Sequence, residues 1–529
     1  PRDQWLSALA QLHKLWQQNP AKVHAYANRL GEALQELAPS PQIAVVTAEM
    51  LQAGMLHWQS NYDAEAGGML PAPKFPLPAW WRFQLYYSQF FGDEQAAIQL
   101  HFSLQKMAAG GMYDQLSGGF CRYSVDAEWR IPHFEKMLND NAQLLSLYAE
   151  AYRHQPNPRY RTVVYACISW LEQTLLLNNG LYAASLDADS EGEEGKYYLW
   201  TEHALRAVLN DSEYALAEAY FDLQGSARWE GPLLVLQCTE KGADSREIKA
   251  LKEKLLQFRA QREAPLRDEK ALLAWNALLL EGLLEAYATF GEQQWYQQAV
   301  TLASKLLAFR QQGKWYRVNF NGALSQLAFS EDLVFTAWSF FRLYQLSGQS
   351  SWLDECLEIV AEIDRFYTDE ASGFLQFSLK QEPEWNKRLA DVGDHVQPAP
   401  ASVYARLCEV LGRIYPEEGY GQRAHDLLEK MAGKFGEHLR FYPNWAYLGL
   451  QFLGDRALVH ISGNTATTAV QTLAATYLPG ELIVWSEDEK RGFLANLPDG
   501  EKLQIQRCVA TYCELPLDSL AAYFKRLAQ

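Results

Sequence analysis

The sequence predicts an all-α protein, a closed (α/α)6 toroid of helical hairpins, with a small α/β appendage at its C-terminal end. Three observations predict it. Apolar residues recur at three- and four-residue steps along most of the chain. A glycine followed by an apolar or aromatic extension returns at a spacing of about 60 residues. Polar residues gather at the starts of alternate helices, as they would around the axis of a ring.

The periodicity is clearest in 133–152, where Phe134, Met137, Leu138, Leu145, Tyr148 and Tyr152 share one stripe. Leu272, Trp275, Leu279, Leu283 and Tyr287 repeat it, as do Leu333, Ala337, Trp338 and Phe341. Similar helices are expected over 42–58, 77–91, 94–109, 159–177, 292–310, 349–366, 401–414 and 420–433. The punctuation reads Gly68-Met69-Leu70, Gly111-Met112-Tyr113, Gly180-Leu181-Tyr182, Gly313-Lys314-Trp315-Tyr316 and Gly373-Phe374-Leu375. These glycines lie 43, 69, 133 and 60 residues apart, the third interval being two periods. Glycine after a helix suits a left-handed C-terminal cap, from which the extension crosses to the next helix. Six such units fit between residues 42 and 450. An open helical solenoid is the rival architecture, and the polar clustering at inner-helix starts favours the ring.

Three segments are expected. Residues 1–40 form a helical lead-in, 41–455 the barrel, and 456–529 a small α/β unit. In the last, Ala457–Ile461 and Glu481–Trp485 read as strands around a helix near 465–476, and Ser486–Arg491 as a charged turn. A start at Pro1 in place of Met is what a processed or truncated product gives.

Composition bounds the function. At 48% hydrophobic and 13% aromatic, with 17 Trp, the chain has ample material for a large core. A formal net charge of −17, without any offsetting basic run, argues against nucleic acid and anionic membrane surfaces as partners. No stretch reaches the roughly 18 apolar residues of a membrane span, and no signal sequence opens the chain. Seven scattered cysteines without metal-type spacing suggest free thiols in a reducing cytoplasm. No P-loop, dinucleotide fingerprint, HExxH or GxSxG is present, so no cofactor is expected.

Candidate chemistry concentrates in Gly110–Asn141. Two glycine pairs, Gly110-Gly111 and Gly118-Gly119, make a long aromatic loop, the kind that is usually functional. Pro132 suits a first helical turn, which places His133 and Glu135 at a helix N-terminus. His133 titrates near neutrality and is a candidate general acid or base, with bonding to the loop backbone as the alternative. Glu135 is a candidate carboxylate partner, although the helix dipole alone would favour it. Arg122 would hold a carboxylate or hydroxyls, or tie the loop to Asp114 or Asp126. Tyr123 and Trp129 complete the loop's ligand candidates. Asn141 and Asn276 sit on apolar stripes, where a ligand or a structural network between hairpins must satisfy them. Asp187-Ala188-Asp189-Ser190-Glu191-Gly192 begins like a calcium loop, but its twelfth position is Tyr198 and not Glu, so no metal is expected. Asp187 and Asp189 are instead sugar-facing candidates, or part of a solvated turn. Ser330-Glu331-Asp332 reads as an N-cap with acids in the first turn, and Asp268-Glu269 as a further polar helix start. Asp332 joins the catalytic candidates and Trp275 the binding ones.

These residues resemble the YyaL and spermatogenesis-associated, thioredoxin-domain-containing family. The matching pieces are Ala72–Pro76, Gly110–Leu116, Gly118–Phe120, Arg122–Asp126, Pro132–Leu138, Asp140–Ala142, Asp187–Gly195, and Asp268 with Lys270 and Trp275-Asn276. The resemblance implies a six-hairpin-glycosidase-like barrel, related in shape to N-acylglucosamine 2-epimerases. It also implies a thioredoxin-like domain in front, of which residues 1–40 look like the tail, and hence a thioredoxin-like partner. The chain departs from the family at Cys121 (usually His), at Asn139 (usually Tyr) and at Pro398-Ala399-Pro400-Ala401 (usually Pro-Ser-Gly-Asn). Two functions are therefore expected in rank: a sugar-directed enzyme of epimerase, isomerase or glycosidase type, then a non-catalytic binding or scaffold protein.

Overall fold

A computed structural model describes residues 2–36, 43–224, 228, 231–238, 245–379, 390–497, 500–510 and 512–528. Twelve of its helices alternate between an outer and an inner circle. In chain order they are α1 (Ala48–Gln59), α2 (Pro78–Phe91), α3 (Glu94–Ala109), α4 (Leu138–His154), α5 (Pro158–Trp170) and α6 (Leu273–Phe290). There follow α7 (Gln293–Leu307), α8 (Ser330–Ser347), α9 (Ser350–Phe366), α10 (Pro400–Ile414), α11 (Tyr420–Ala432) and α12 (Pro443–Leu453).

The even-numbered helices are the inner ones. Each packs on the next, α2 on α4, α4 on α6, and so on to α12, which packs back on α2. The ring is closed, and the solenoid alternative is excluded. Inner helices are apolar nearly all round and buried along most of their length, as helices enclosed on every side must be; α6 exposes almost nothing. Outer helices are amphipathic, and α1, α3 and α5 begin with polar caps: the Thr47, Asp93 and Asn157 side chains accept from Met50, Ala96 and Arg159 amides. Inner helices α2, α4 and α6 begin instead at Leu77, Met137 and Leu272, with no side-chain cap.

Two sequence expectations need correction. The repeated glycines do not cap helices. After an outer helix the chain makes a tight antiparallel hairpin, seen as the pairs Tyr62 with Met69, Leu176 with Tyr182 and Thr368 with Leu375. Gly180 (φ 84°) supplies a left-handed residue for the second of these turns, and Gly313 (φ 70°) for the like turn that pairs Arg310–Gln311 with Lys314 and Trp315. Glycines 92, 291 and 348 end inner helices in that role. The interval between Gly180 and Gly313 holds no extra ring unit either. It holds a side unit with helices Glu202–Val208, Asp211–Phe221 and Arg246–Arg259 around its own core of Trp200, Leu205, Tyr214, Phe221 and Leu255. The sixth hairpin is made from the two ends of the barrel, α1 packing on α12.

Residues 2–36 form two helices, Arg2–Gln18 and Pro20–Glu36, that pack on each other, and no residue of the first is buried. The C-terminal unit has a mixed sheet. Ala457–Ser462 lies parallel to Glu481–Trp485, through the crossover helix Ala466–Ala474, and antiparallel to Gln504–Val509. Tyr512–Cys513 pairs on the far side, and Cys508 and Cys513 are joined in a disulfide. That pair corrects the expectation of free thiols throughout. Among the described residues no helix is long and apolar enough to cross a membrane.

Candidate functional site

The starts of the inner helices meet at one end of the ring, and short strands tie them together. Lys136–Met137, Ser185–Leu186 and Arg267–Asp268 form a three-stranded sheet before α4 and α6. The Ala274 amide of α6 donates to Asp332 of α8 (3.0 Å). Asp394 accepts from the Ala399 and Asn444 amides ahead of α10 and α12 (2.9 Å each). Gln143 of α4 donates to the Val396 carbonyl (3.1 Å), joining the two sides of this mouth.

His133 and Glu135 lie at the mouth, but not in a helix. Pro132–His133 pairs with Tyr123–Ser124, and α4 begins only at Leu138, so the sequence reading of a helix start at Pro132 is corrected. Asp268 likewise sits in a strand, and Ser330 is the first helical residue and not the cap. The His133 imidazole is half-buried and stacked on Tyr123, against which the Phe75 ring lies tilted (31° between planes). Its Nδ1 is 2.8 Å from a Glu194 oxygen, and its Nε2 is 3.6 Å from Glu135. Arg122 lies 3.7 Å from the same Glu135 oxygen. Asp187 and Asp189 flank this group on exposed turns, Asp189 pairing with Glu194 across a two-stranded hairpin.

Other candidates are withdrawn because the fold itself consumes their polar atoms. The Asn141 side chain accepts from the Phe120 amide (2.7 Å) and donates to the Phe120 and Met137 carbonyls. Asn276 stands at the equivalent fourth position of α6 and treats Tyr182 and Leu272 in the same way. Each amide pins an incoming hairpin to its inner helix and has no hydrogen left for a ligand. Asn141→Ala and Asn276→Ala are each expected to cost about 1–3 kcal/mol in urea unfolding, because a paired backbone amide and carbonyl lose their partner. Asp114 is buried between Arg259 and Lys136. Trp129 is wholly buried under Gly68 and donates to the Gly67 carbonyl (3.2 Å), so it is no platform for a sugar. Asp332 is also fully buried. It accepts from Ala274, Phe329 and Arg317, which makes it a latch between α6 and α8 and not a group open to substrate. Trp275 is half-buried against the core, and its indole nitrogen is unpartnered.

Sequence reasoning missed several groups. Asp140, in the first turn of α4, is pushed up to about 7 by burial, with Arg122 opposing and Glu135 adding to the rise. One of its oxygens has no hydrogen-bond partner, nor has the Asn139 side-chain oxygen. Asp391 is raised to about 6 by burial, His395 opposing and Glu331 and Asp394 adding. Glu194 escaped notice as one of a run of acids, whereas its place opposite His133 depends on a hairpin register. Asp140 carried a signal, an acid directly beside the amide of an apolar stripe. Asp391 carried none beyond the polar run Asp391–His395.

A second feature, invisible in the sequence, occupies the axis. Toward the other ends of the inner helices the ring holds a half-open cavity of about 150 Å³, lined on one side by the C-terminal segment 470–483. None of the sequence-predicted site residues lines it. Arg82 bridges Glu150 and Glu281, and Glu285 takes both Arg153 and Arg342. The C-terminal segment is held through its backbone: Ala474 accepts from Arg153 (3.0 Å), Ile483 from Gln345 (3.0 Å) and Gly480 from Arg413 (3.3 Å).

Fold and site define a class: a closed ring of six helical hairpins with a polar mouth at the inner-helix starts. No protein-family model matches the chain. The chain is a distant homologue of spermatogenesis-associated protein 20. It is 26% identical to the human protein over 569 residues, covering 92% of this chain and 70% of that one. Against the mouse protein it is 29% identical over 417 residues, covering 69% of this chain and 53% of that one, so this match spans about half the mouse protein's length. Among solved structures it is similar to a D-mannose isomerase (TM-score 0.49, 11% identity, 76% of this chain and 97% of that one). It is also similar to a family 76 α-mannanase of Bacteroides thetaiotaomicron (TM-score 0.44, 10% identity, 76% and 94%).

Proposed function

We propose that the chain is a carbohydrate-directed enzyme of the isomerase or epimerase type, working at the mouth through His133. One arrangement carries the reading. A half-buried imidazole lies stacked on Tyr123, with Glu194 at Nδ1 and Glu135 facing Nε2. A carboxylate on Nδ1 orients the ring and fixes its tautomer, leaving Nε2 to move a proton. His133 would take the proton from a sugar carbon beside the carbonyl and return it. Arg122 would hold the developing oxyanion, and Asp140, raised into the neutral range, would serve as a proton donor beneath it. The Tyr123 ring and the Phe75 ring tilted against it would offer an apolar side to a sugar.

The test is exchange. Aldoses and ketoses incubated with the protein in D2O should gain deuterium beside the carbonyl, followed by NMR. His133→Ala should lower the rate by about 10²–10⁴-fold, the usual contribution of a positioned acid or base. Release of new reducing ends from glycosides would move the assignment to hydrolysis, with Glu135 and Glu194 as the carboxylate pair. Neither exchange nor hydrolysis across a broad panel would sink the enzyme reading.

A second reading, a binding or scaffold protein with a thioredoxin-like partner, is favoured by the N-terminal helices. Trp5, Leu6, Leu9, Leu12 and Trp16 are exposed there, an apolar set of the kind that marks interaction surfaces.

A further inference from the structure

The axial cavity presents an imbalance of charge that the fold does not resolve. Arg82, Arg153 and Arg342 each find a carboxylate, and Arg413 is neutralised by Glu409 (2.7 Å). Arg406 does not. Its guanidinium is buried on the cavity wall, lies over the Trp338 and Tyr447 rings, and donates to the Asn444 side chain (3.0 Å). Among the described residues no carboxylate comes within 4.0 Å of it, and its Nε has no partner. A buried charge without a counter-ion is strongly unfavourable, and a protein that needed only packing would place an apolar side chain there.

Three further polar atoms of the cavity lining also lack a partner: Arg153 Nε, the Tyr477 hydroxyl and the Gln451 side-chain oxygen. The lining thus offers one uncompensated cation, further donors, and an acceptor. We propose that this cavity binds a small hydroxy acid, its carboxylate on Arg406 and its hydroxyls on the Tyr477 and Gln451 side. Volume sets the size. A cavity of about 150 Å³ accommodates a ligand of roughly benzene's dimensions, which is the scale of a three-carbon hydroxy acid and smaller than a hexose. Glu150 and Glu281, facing the same space but paired with Arg82, would discriminate against dianions. The site is separate from the mouth, shares no residue with it, and does not depend on the function proposed there.

The test uses the whole chain at fixed ionic strength, with glycerate, glycerol and sodium chloride as probes in thermal-shift and calorimetric titrations. Glycerate should raise Tm saturably, while glycerol, its uncharged counterpart, and chloride should not. Arg406→Met keeps length and packing but removes the charge. It should weaken glycerate binding by at least about 30-fold, as loss of one partner of a buried charge pair does, and in the absence of glycerate it should unfold no earlier than the wild type. His133→Ala should bind glycerate like the wild type, so that failure at the mouth and failure here are told apart. No response to glycerate, an equal response to glycerol or chloride, or unchanged affinity in Arg406→Met would each overturn the assignment.

Discussion

Glu285→Ala is expected to destabilise the protein by about 3–5 kcal/mol, the cost of stranding buried charge. The carboxylate is almost completely enclosed and, among the described residues, is the one carboxylate in contact with Arg153 (2.5 Å) and Arg342 (2.5 Å). Without it, two guanidinium groups remain inside the ring without a carboxylate in contact, and only the more distant Glu281 and Glu150 still act on Arg342. A pH titration gives the same conclusion by another route. Against the cost of burial, Arg342, Arg153 and Arg82 hold Glu285 well below the ordinary carboxylate range. A depressed native pKa contributes stability that is complete above the unfolded value of about 4.3 and is lost as the pH falls toward the native one. Urea midpoints of wild type and Glu285→Gln should therefore converge on acidification below about pH 4. Replacing Glu285, Arg153 and Arg342 together by Leu and Met should recover most of the loss, because desolvation of all three charges is then avoided. A single-variant loss under about 1 kcal/mol would show that water reaches these groups, as for a surface pair.

Asp114→Asn should be nearly as damaging, again about 3–5 kcal/mol, at a position far from the axis. Asp114 takes both Arg259 nitrogens (3.0 and 2.9 Å), the Lys136 ammonium (2.9 Å) and the Ser117 hydroxyl (2.7 Å). Arg259 belongs to the side unit, Lys136 to the strand leading into α4, and Asp114 to the long loop, so one carboxylate joins three parts of the chain. Asparagine keeps the shape but leaves two buried cations unanswered. Loss of the joint should also loosen the Asp187–Gly195 hairpin, read as faster amide exchange at Glu194, because Lys136–Met137 pairs with the strand that precedes it. Unchanged exchange there, with stability lowered, would confine the effect to the loop.

The ring was legible in the sequence because helical periodicity and repeat spacing are local signals, and α2, α3, α9 and α10 begin and end within a residue or two of the expected bounds. The 2-residue strands were not. Arg267–Asp268 is extended because Ser185–Leu186, far earlier in the chain, pairs with it, and Pro132–His133 because the loop folds back to pair it with Tyr123–Ser124; a proline before an apolar stripe reads more readily as a helix start. The extra unit expected between Gly180 and Gly313 failed for a related reason: spacing counts residues, and the side unit fills the interval with helices that pack on one another. At the site, the sequence could identify His133 and its loop. It could not tell a polar residue facing a ligand from one serving a backbone amide. Asn141, Asn276, Asp114 and Asp332 all belong to the second kind. The axial charges were invisible individually. Glu150, Glu281 and Glu285 look like ordinary solvent-facing positions until the ring of inner helices encloses them.

The hairpin shared by α1 and α12 has a consequence for synthesis. As the chain leaves the ribosome, α1 and α2 emerge early, but the neighbour that covers them begins only at Pro443. Until then the nascent barrel has an open seam edged by Leu51, which lies against Gly449, and Tyr86, which packs on Tyr447, both buried in the finished molecule. Contacts so distant in sequence form late and slowly. The seam is therefore the surface a chaperone would hold longest, and the one through which two incomplete copies would most readily exchange ends.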